Sequence, residues 1–163
     1  MIKLLPGIEI EEVPIEKKYR NITTALVKRI KHLYDAIYER YGDDGLNLIE
    51  EVSRNYGLEI AERAKHRIEQ PDIKSVALFI IKVFNNIRGN GEVTEFSEDK
   101  VIIRVYECPY PFDKPEVCEA HTAMERTLVE TLGENLKYNI PKSIPDGDPY
   151  CDHVIEYTKS TKD

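Results

Sequence analysis

The chain has no tryptophan, two methionines, four phenylalanines and three cysteines among its 163 residues. Three cysteines are too few, and odd in number, for the disulfide framework of a small secreted domain. In a reducing compartment they read as free thiols or metal ligands. One alternative stays open, because abundant Ile, Lys and Glu with scarce Trp and Met is the composition expected of a thermophile. Intracellular proteins of hyperthermophiles do carry disulfides, so a Cys108 to Cys118 bridge is a second reading. Long apolar runs are also missing: the longest, "VALFIIKVF", is broken by Lys82 and is too short to cross a bilayer. No basic start leads into an apolar stretch with a small-residue cleavage site, and a cytoplasmic protein without a membrane partner is expected. Nor is there a stripe of basic charge. The formal net charge is -7, and Lys and Arg are interleaved with Asp and Glu, which lacks the electrostatic footprint of a nucleic-acid binder. The sequence contains no G-x-S-x-G elbow, P-loop, Rossmann fingerprint or H-E-x-x-H, so the common hydrolase, nucleotide and protease chemistries have no support.

What is present suits a single domain over residues 1–163, since 41% hydrophobic content in a chain of this length can bury a core unaided. Residues 1–20, with two prolines and an acidic cluster, read as an extended arm. Ile22, Leu26, Ile30, Leu33, Ile37 and Tyr41 recur at helical spacing and predict a first helix over 21–41. Leu46, Ile49, Val52 and Tyr56 predict a short second helix stopped at Gly57, and Leu58, Ala61, Ala64 and Ile68 a third stopped before Pro71. Asp72 can cap a fourth over 73–88, apolar on nearly every side and so expected to run through the core. These make a helical part over 21–88.

After "RGNG" the period becomes two. "GEVTEF" and "KVIIRVYE" read as an antiparallel pair, "LKYNI" and "CDHVIEYT" as further strands, and 115–132 as a helix opened by Pro115 and lying across the sheet. Residues 91–158 thus form a β-rich part, and the fold class expected is α+β: a helical N-terminal half packed with an antiparallel sheet and a crossing helix. The continuous apolar stripe of the first helix, with Tyr34, Tyr38 and Tyr41 beside it, suits pairing with its copy in a homodimer.

The chemistry gathers in the β-rich part. Cys108 leaves a strand, Cys118 and His121 stand three apart on one helical face, and Cys151 and His153 share one face of the last strand. Three thiolates and an imidazole suit the borderline softness of zinc. Cys108, Cys118, His121 and Cys151 are therefore the expected tetrahedral set, with His153 the competing fourth ligand. The spacing is not that of a C-x2-C zinc ribbon. Glu125, one turn beyond His121, could orient the imidazole or carry a proton; as a charged residue near Arg126 it reads more simply as solvated. His32 and His66 lie among charged helical residues and are read as solvated. "DGD" at 146–148 lacks the spacing and closing Glu of a calcium loop and reads as a turn built on Gly147.

A strand ending in "YECPY", a helix carrying "CEAH" and, further on, "DGDPYCDHVIEY" resemble the C-terminal half of the 4-vinyl reductase domain family, and also the aminothiazoline carboxylate hydrolase-like family. These groups share a turn "G-D-x-x-C" before the final strand. The resemblance covers residues 90–158, the front half matching in layout. It implies an α+β domain that binds a small molecule, related in fold to haem-based nitric oxide sensing and Golgi-transport ligand-binding domains. It places Cys108, Cys118 and Cys151 at family cysteine positions, Gly147 and Asp148 in the family turn, and an aromatic residue where this chain has His153. Two readings of function follow. One is a sensory or regulatory domain that binds a small molecule or metal at a Cys/His zinc site. The other is an enzyme acting on a small cyclic or tetrapyrrole-like substrate, with Cys118 as nucleophile or zinc ligand and His121 as proton carrier.

Overall fold

Pro14, with its fixed φ and no N–H to lose, stands directly before the first helix of the computed structural model, which describes residues 12–68 and 70–158. Helix α1 (Ile15–Tyr41) therefore takes in "IEKKYR", which the sequence reading had assigned to an arm over 1–20. Lys, Glu and Arg are good helix formers, and no proline follows Pro14 to interrupt them. Residues 1–11 of the expected arm lie outside the described residues. Gly42, at φ 56, lets the chain turn from α1 into α2 (Asp43–Lys65).

Helix α2 corrects a second expectation, because the break at Gly57 does not occur. Gly45, Ile49, Ser53, Gly57, Ala61 and Ala64 are its buried residues, a narrow row at three- and four-residue spacing. A Cβ on Gly57 would lie 2.6 Å from the carbonyl oxygen of Met124 and 3.1 Å from Cβ of Thr127. Glycine is there so that the backbones of two helices can approach. The helical half thus holds three helices where four were expected.

Asp72 caps α3 (Ile73–Asn86) as expected, accepting a hydrogen bond of 2.7 Å from the Ser75 amide. The helix does not run through the core, however. Ile73, Val76, Ala77, Ile80 and Phe84 form its buried face, while Leu78 is 58% exposed. It lies on the sheet as a lid with one inner side.

That sheet has β1 (Asn90–Phe96), β2 (Lys100–Glu107), β3 (Leu136–Lys142) and β4 (Cys151–Tyr157), all pairings antiparallel, in the order β1-β2-β4-β3. Helix α4 (Pro115–Leu132) joins β2 to β3 and packs against both α2 and β3. It is therefore covered on two sides, and residues 120–125 are buried without a gap. Val101, Ile103 and Val105 on β2 face inward opposite Ile155, His153 and Cys151 on β4. Apart from His153, these residues form one core with α3 and α4. The fold is α+β, as the change of period at "RGNG" predicts. Among the described residues no helix is long and apolar enough to cross a membrane.

Candidate functional site

Three elements of the second half end at one place. Strand β2 delivers Cys108 and the rigid loop carrying Tyr110 and Phe112, α4 presents Cys118, His121 and Glu125, and β4 brings Cys151 and His153. Strand periodicity puts Cys151 and His153 on the inner face, and helical periodicity puts His121 and Glu125 one turn apart on α4. With Phe84 and Ile87 from the end of α3 they enclose a cavity of about 40 Å³. Every residue expected as a zinc ligand, Cys108, Cys118, His121 and Cys151, lines it, and so does His153.

Polar satisfaction inside this cavity is unusual. His121 is 7% exposed and neither ring nitrogen has a hydrogen-bond partner; Glu125 is 4% exposed and its Oε2 has none. His121 sits among aromatic rings, with centroids 4.3 Å away at Tyr110, 5.0 Å at Phe112 and 5.9 Å at Tyr34. Burial pushes the imidazole down to about 4 and the Glu125 carboxyl up to about 8, so both are uncharged near neutral pH. His153 differs, because Tyr138 Oη lies within hydrogen-bond distance of its Nδ1 and Phe84 meets its ring edge-on at 4.7 Å. Burial takes His153 down to about 4 as well.

All three cysteines are free, so the alternative disulfide between Cys108 and Cys118 does not form. Desolvation raises each thiol, Cys108 and Cys118 to about 12, although Cys108 as a residue is exposed. The Ile144 amide donates to Sγ of Cys151 at 3.3 Å. Three thiols and an imidazole are a donor set that zinc accepts, but the arrangement is not a closed one. Among the described residues no group of three His, Cys, Asp or Glu side chains is placed to hold a metal ion.

Glu125 is the main correction at the site. The simpler reading made it solvated, whereas α4 is covered by α2 on one side and the sheet on the other, which leaves its carboxyl nowhere to go but the cavity. The aromatic enclosure of His121 was missed too. Tyr110 and Phe112 belong to "CPYPF", whose rigidity was legible but whose direction was not, and Tyr34, expected on a dimer face, turns toward His121 instead. A further polar pair lies on the outer face of the sheet, where Arg104 Nε donates to Oδ1 of Asp152 at 2.8 Å and its guanidinium lies 3.8 Å from the Tyr150 ring centroid. The "DGD" turn is as expected: Gly147 has φ 98, and Oδ2 of Asp148 accepts from the Ser143 amide at 3.0 Å.

Fold and cavity together define a class: an α+β domain whose helices flank a four-stranded antiparallel sheet around a small ring-lined chamber. The same fold is found in solved structures. One is a trafficking protein particle complex subunit 3 from Naegleria fowleri covalently bound to palmitic acid, at TM-score 0.63 and 15% identity, covering 86% of this chain and 97% of that one. Another is the phenol-responsive sensory domain of the transcription activator PoxR with phenol, at TM-score 0.57 and 14% identity, covering 86% of this chain and 77% of that one. The H-NOX domain of Shewanella oneidensis aligns over 78% of this chain and 74% of its own at TM-score 0.48 and 9% identity. No protein-family model matches the chain, and no curated protein does. The expected likeness of fold to a trafficking-complex domain is seen, as fold alone, whereas the 4-vinyl reductase family finds no match.

Proposed function

We propose that this chain is a small-molecule-binding domain with a sensory or regulatory role, and that the polar end of its ligand enters the chamber under Tyr110 and Phe112. The observation that carries this reading is the pair His121, buried against aromatic rings with neither ring nitrogen partnered, and Glu125, buried with its Oε2 unpartnered. An unsatisfied buried polar group costs about 1–3 kcal/mol, and a ligand that supplies the missing hydrogen bonds removes that cost. Two proteins of the same fold hold a small organic molecule, phenol in one and palmitic acid in the other, which accords with the reading. The enzyme reading is the weaker one: a nucleophilic cysteine needs a lowered pKa, and burial moves Cys118 the opposite way. Titration with phenol, followed by the rise in melting temperature, tests the proposal. Thr122→Phe, which fills the chamber wall, should abolish the rise. An equal rise in that variant would move binding elsewhere.

Zinc remains a proposal on the same residues, carried by the shared cavity wall of Cys108, Cys118, His121 and Cys151. Protein purified without chelator should then hold one zinc per chain, and less than about a tenth of an equivalent of any metal would remove zinc from the site.

A homodimer is proposed through α1. Ile22, Leu26 and Leu33 of its apolar stripe are more than half exposed. Sedimentation at rising concentration should show a dimer that Leu26→Glu dissociates; a monomer throughout would refute it.

A further inference from the structure

The chamber adjoins an open surface cleft across a shared wall. Cys118, Thr122, Ile140 and Ser143 line both the chamber and an open cleft of about 440 Å³ beside the start of α4. The charged residues of that cleft are Glu116, Glu119, Asp146 and Arg126, three acids to one base. Among the described residues no Lys or Arg lines the chamber, and Glu125 is the only carboxyl that does. From this arrangement we infer that the ligand is a small organic nitrogen base, an amine or amidine. Its head lies beside Glu125 and His121, and its body lies in the acidic cleft.

This inference rests on the reading of the chamber as a small-molecule site and adds the chemistry of the occupant. An anion would pass three carboxylates and then lose its water where no cation replaces it, which is unfavourable at both steps. A neutral molecule can meet the hydrogen-bonding deficit but gains nothing from the charge of the approach. A nitrogen base meets both conditions. A bound cation favours the ionised form of Glu125, so the carboxyl releases its proton to solvent on binding; the ligand's N–H groups then donate to Oε2, and the two parallel N–H groups of an amidine match the resulting carboxylate edge in bidentate fashion. The faces of Tyr110 and Phe112 attract the same cation. The volume of about 40 Å³ suits a head group of a few atoms, which leaves the remainder of the molecule for the cleft.

Benzamidine, benzamide and benzoate have nearly the same shape and are positive, neutral and negative at neutral pH. Calorimetric titration of the full chain should rank them in that order, with benzamidine about tenfold or more tighter than benzamide. In Glu125→Gln the affinity for benzamidine should fall roughly tenfold to a hundredfold, the worth of a charge-assisted hydrogen bond, while benzamide changes little. Benzamide or benzoate binding as tightly as benzamidine in the unaltered chain would overturn the nitrogen base and leave a small-molecule site standing. So would a benzamidine affinity that Glu125→Gln leaves unchanged. If none of the three binds at millimolar concentration and phenol does not either, the small-molecule reading falls together with this one. Should the Gln variant fail to fold, the ranking in the unaltered chain decides alone.

Discussion

A carboxyl buried in an apolar chamber with one oxygen unpartnered makes the whole protein sensitive to alkali in a calculable way. Glu125 titrates at about 8 in the fold, raised by burial from its ordinary 4.5. Between those values the unfolded chain has released a proton that the folded chain retains. The unfolded state therefore binds fewer protons, and stability falls as pH rises. The contribution is fully favourable below the ordinary value of 4.5 and is exhausted above about 8. The slope is about 1.4 kcal/mol per pH unit within the window, so from roughly pH 6 to roughly pH 8 the protein should lose about 2 kcal/mol through this one group. Other residues also titrate there, but their effect cancels in the difference between the parent and Glu125→Gln, which keeps the shape and lacks the proton. Urea unfolding of both proteins, followed by circular dichroism at the two pH values, measures that difference. The Gln variant should gain on the parent by about 2 kcal/mol on going to the higher pH. A gap constant within about half a kcal/mol would mean that Glu125 finds water or a partner in solution, and the argument from its isolation would fail.

Three further substitutions test the packing that builds the chamber. Gly57→Ala should destabilise by about 1–3 kcal/mol although alanine is the better helix former, because its Cβ would meet the Met124 carbonyl oxygen; a stabilised variant by urea unfolding would show that α2 and α4 are not in close contact. Leu128→Ala, at a position with no exposed surface, should cost about 2–5 kcal/mol in the same assay, and a loss below about 1 kcal/mol would displace α4 from the core. Arg104→Met removes both guanidinium donors from the buried Asp152 and should lower the melting temperature, while adding Asp152→Leu should recover part of the loss; a double variant no better than the single one would argue against the ion pair.

From α3 onward the local structure is legible in the sequence almost to the residue. Periodicity of two marks β2 and β4, Pro115 and Gly133 bracket α4, and Asp72 caps α3, because each of these signals is a property of the backbone over a few neighbouring residues. The sequence also determined that Cys151 and His153 share a face and that His121 belongs with Cys118, since these are consequences of strand and helix geometry. Gly57 was misread for the same reason that the other signals were legible. In isolation glycine favours ending a helix, and only the nearness of Met124, far along the chain, makes it an interior residue at a helix crossing. The tertiary structure alone decided that three elements converge on one chamber and that α4 is covered on both sides, so that the Glu125 carboxyl is desolvated rather than paired at a surface. It also turned Tyr34 and Tyr110 toward His121. Burial depends on what the rest of the chain places over a residue, and a charge read from its neighbours in sequence carries no record of that.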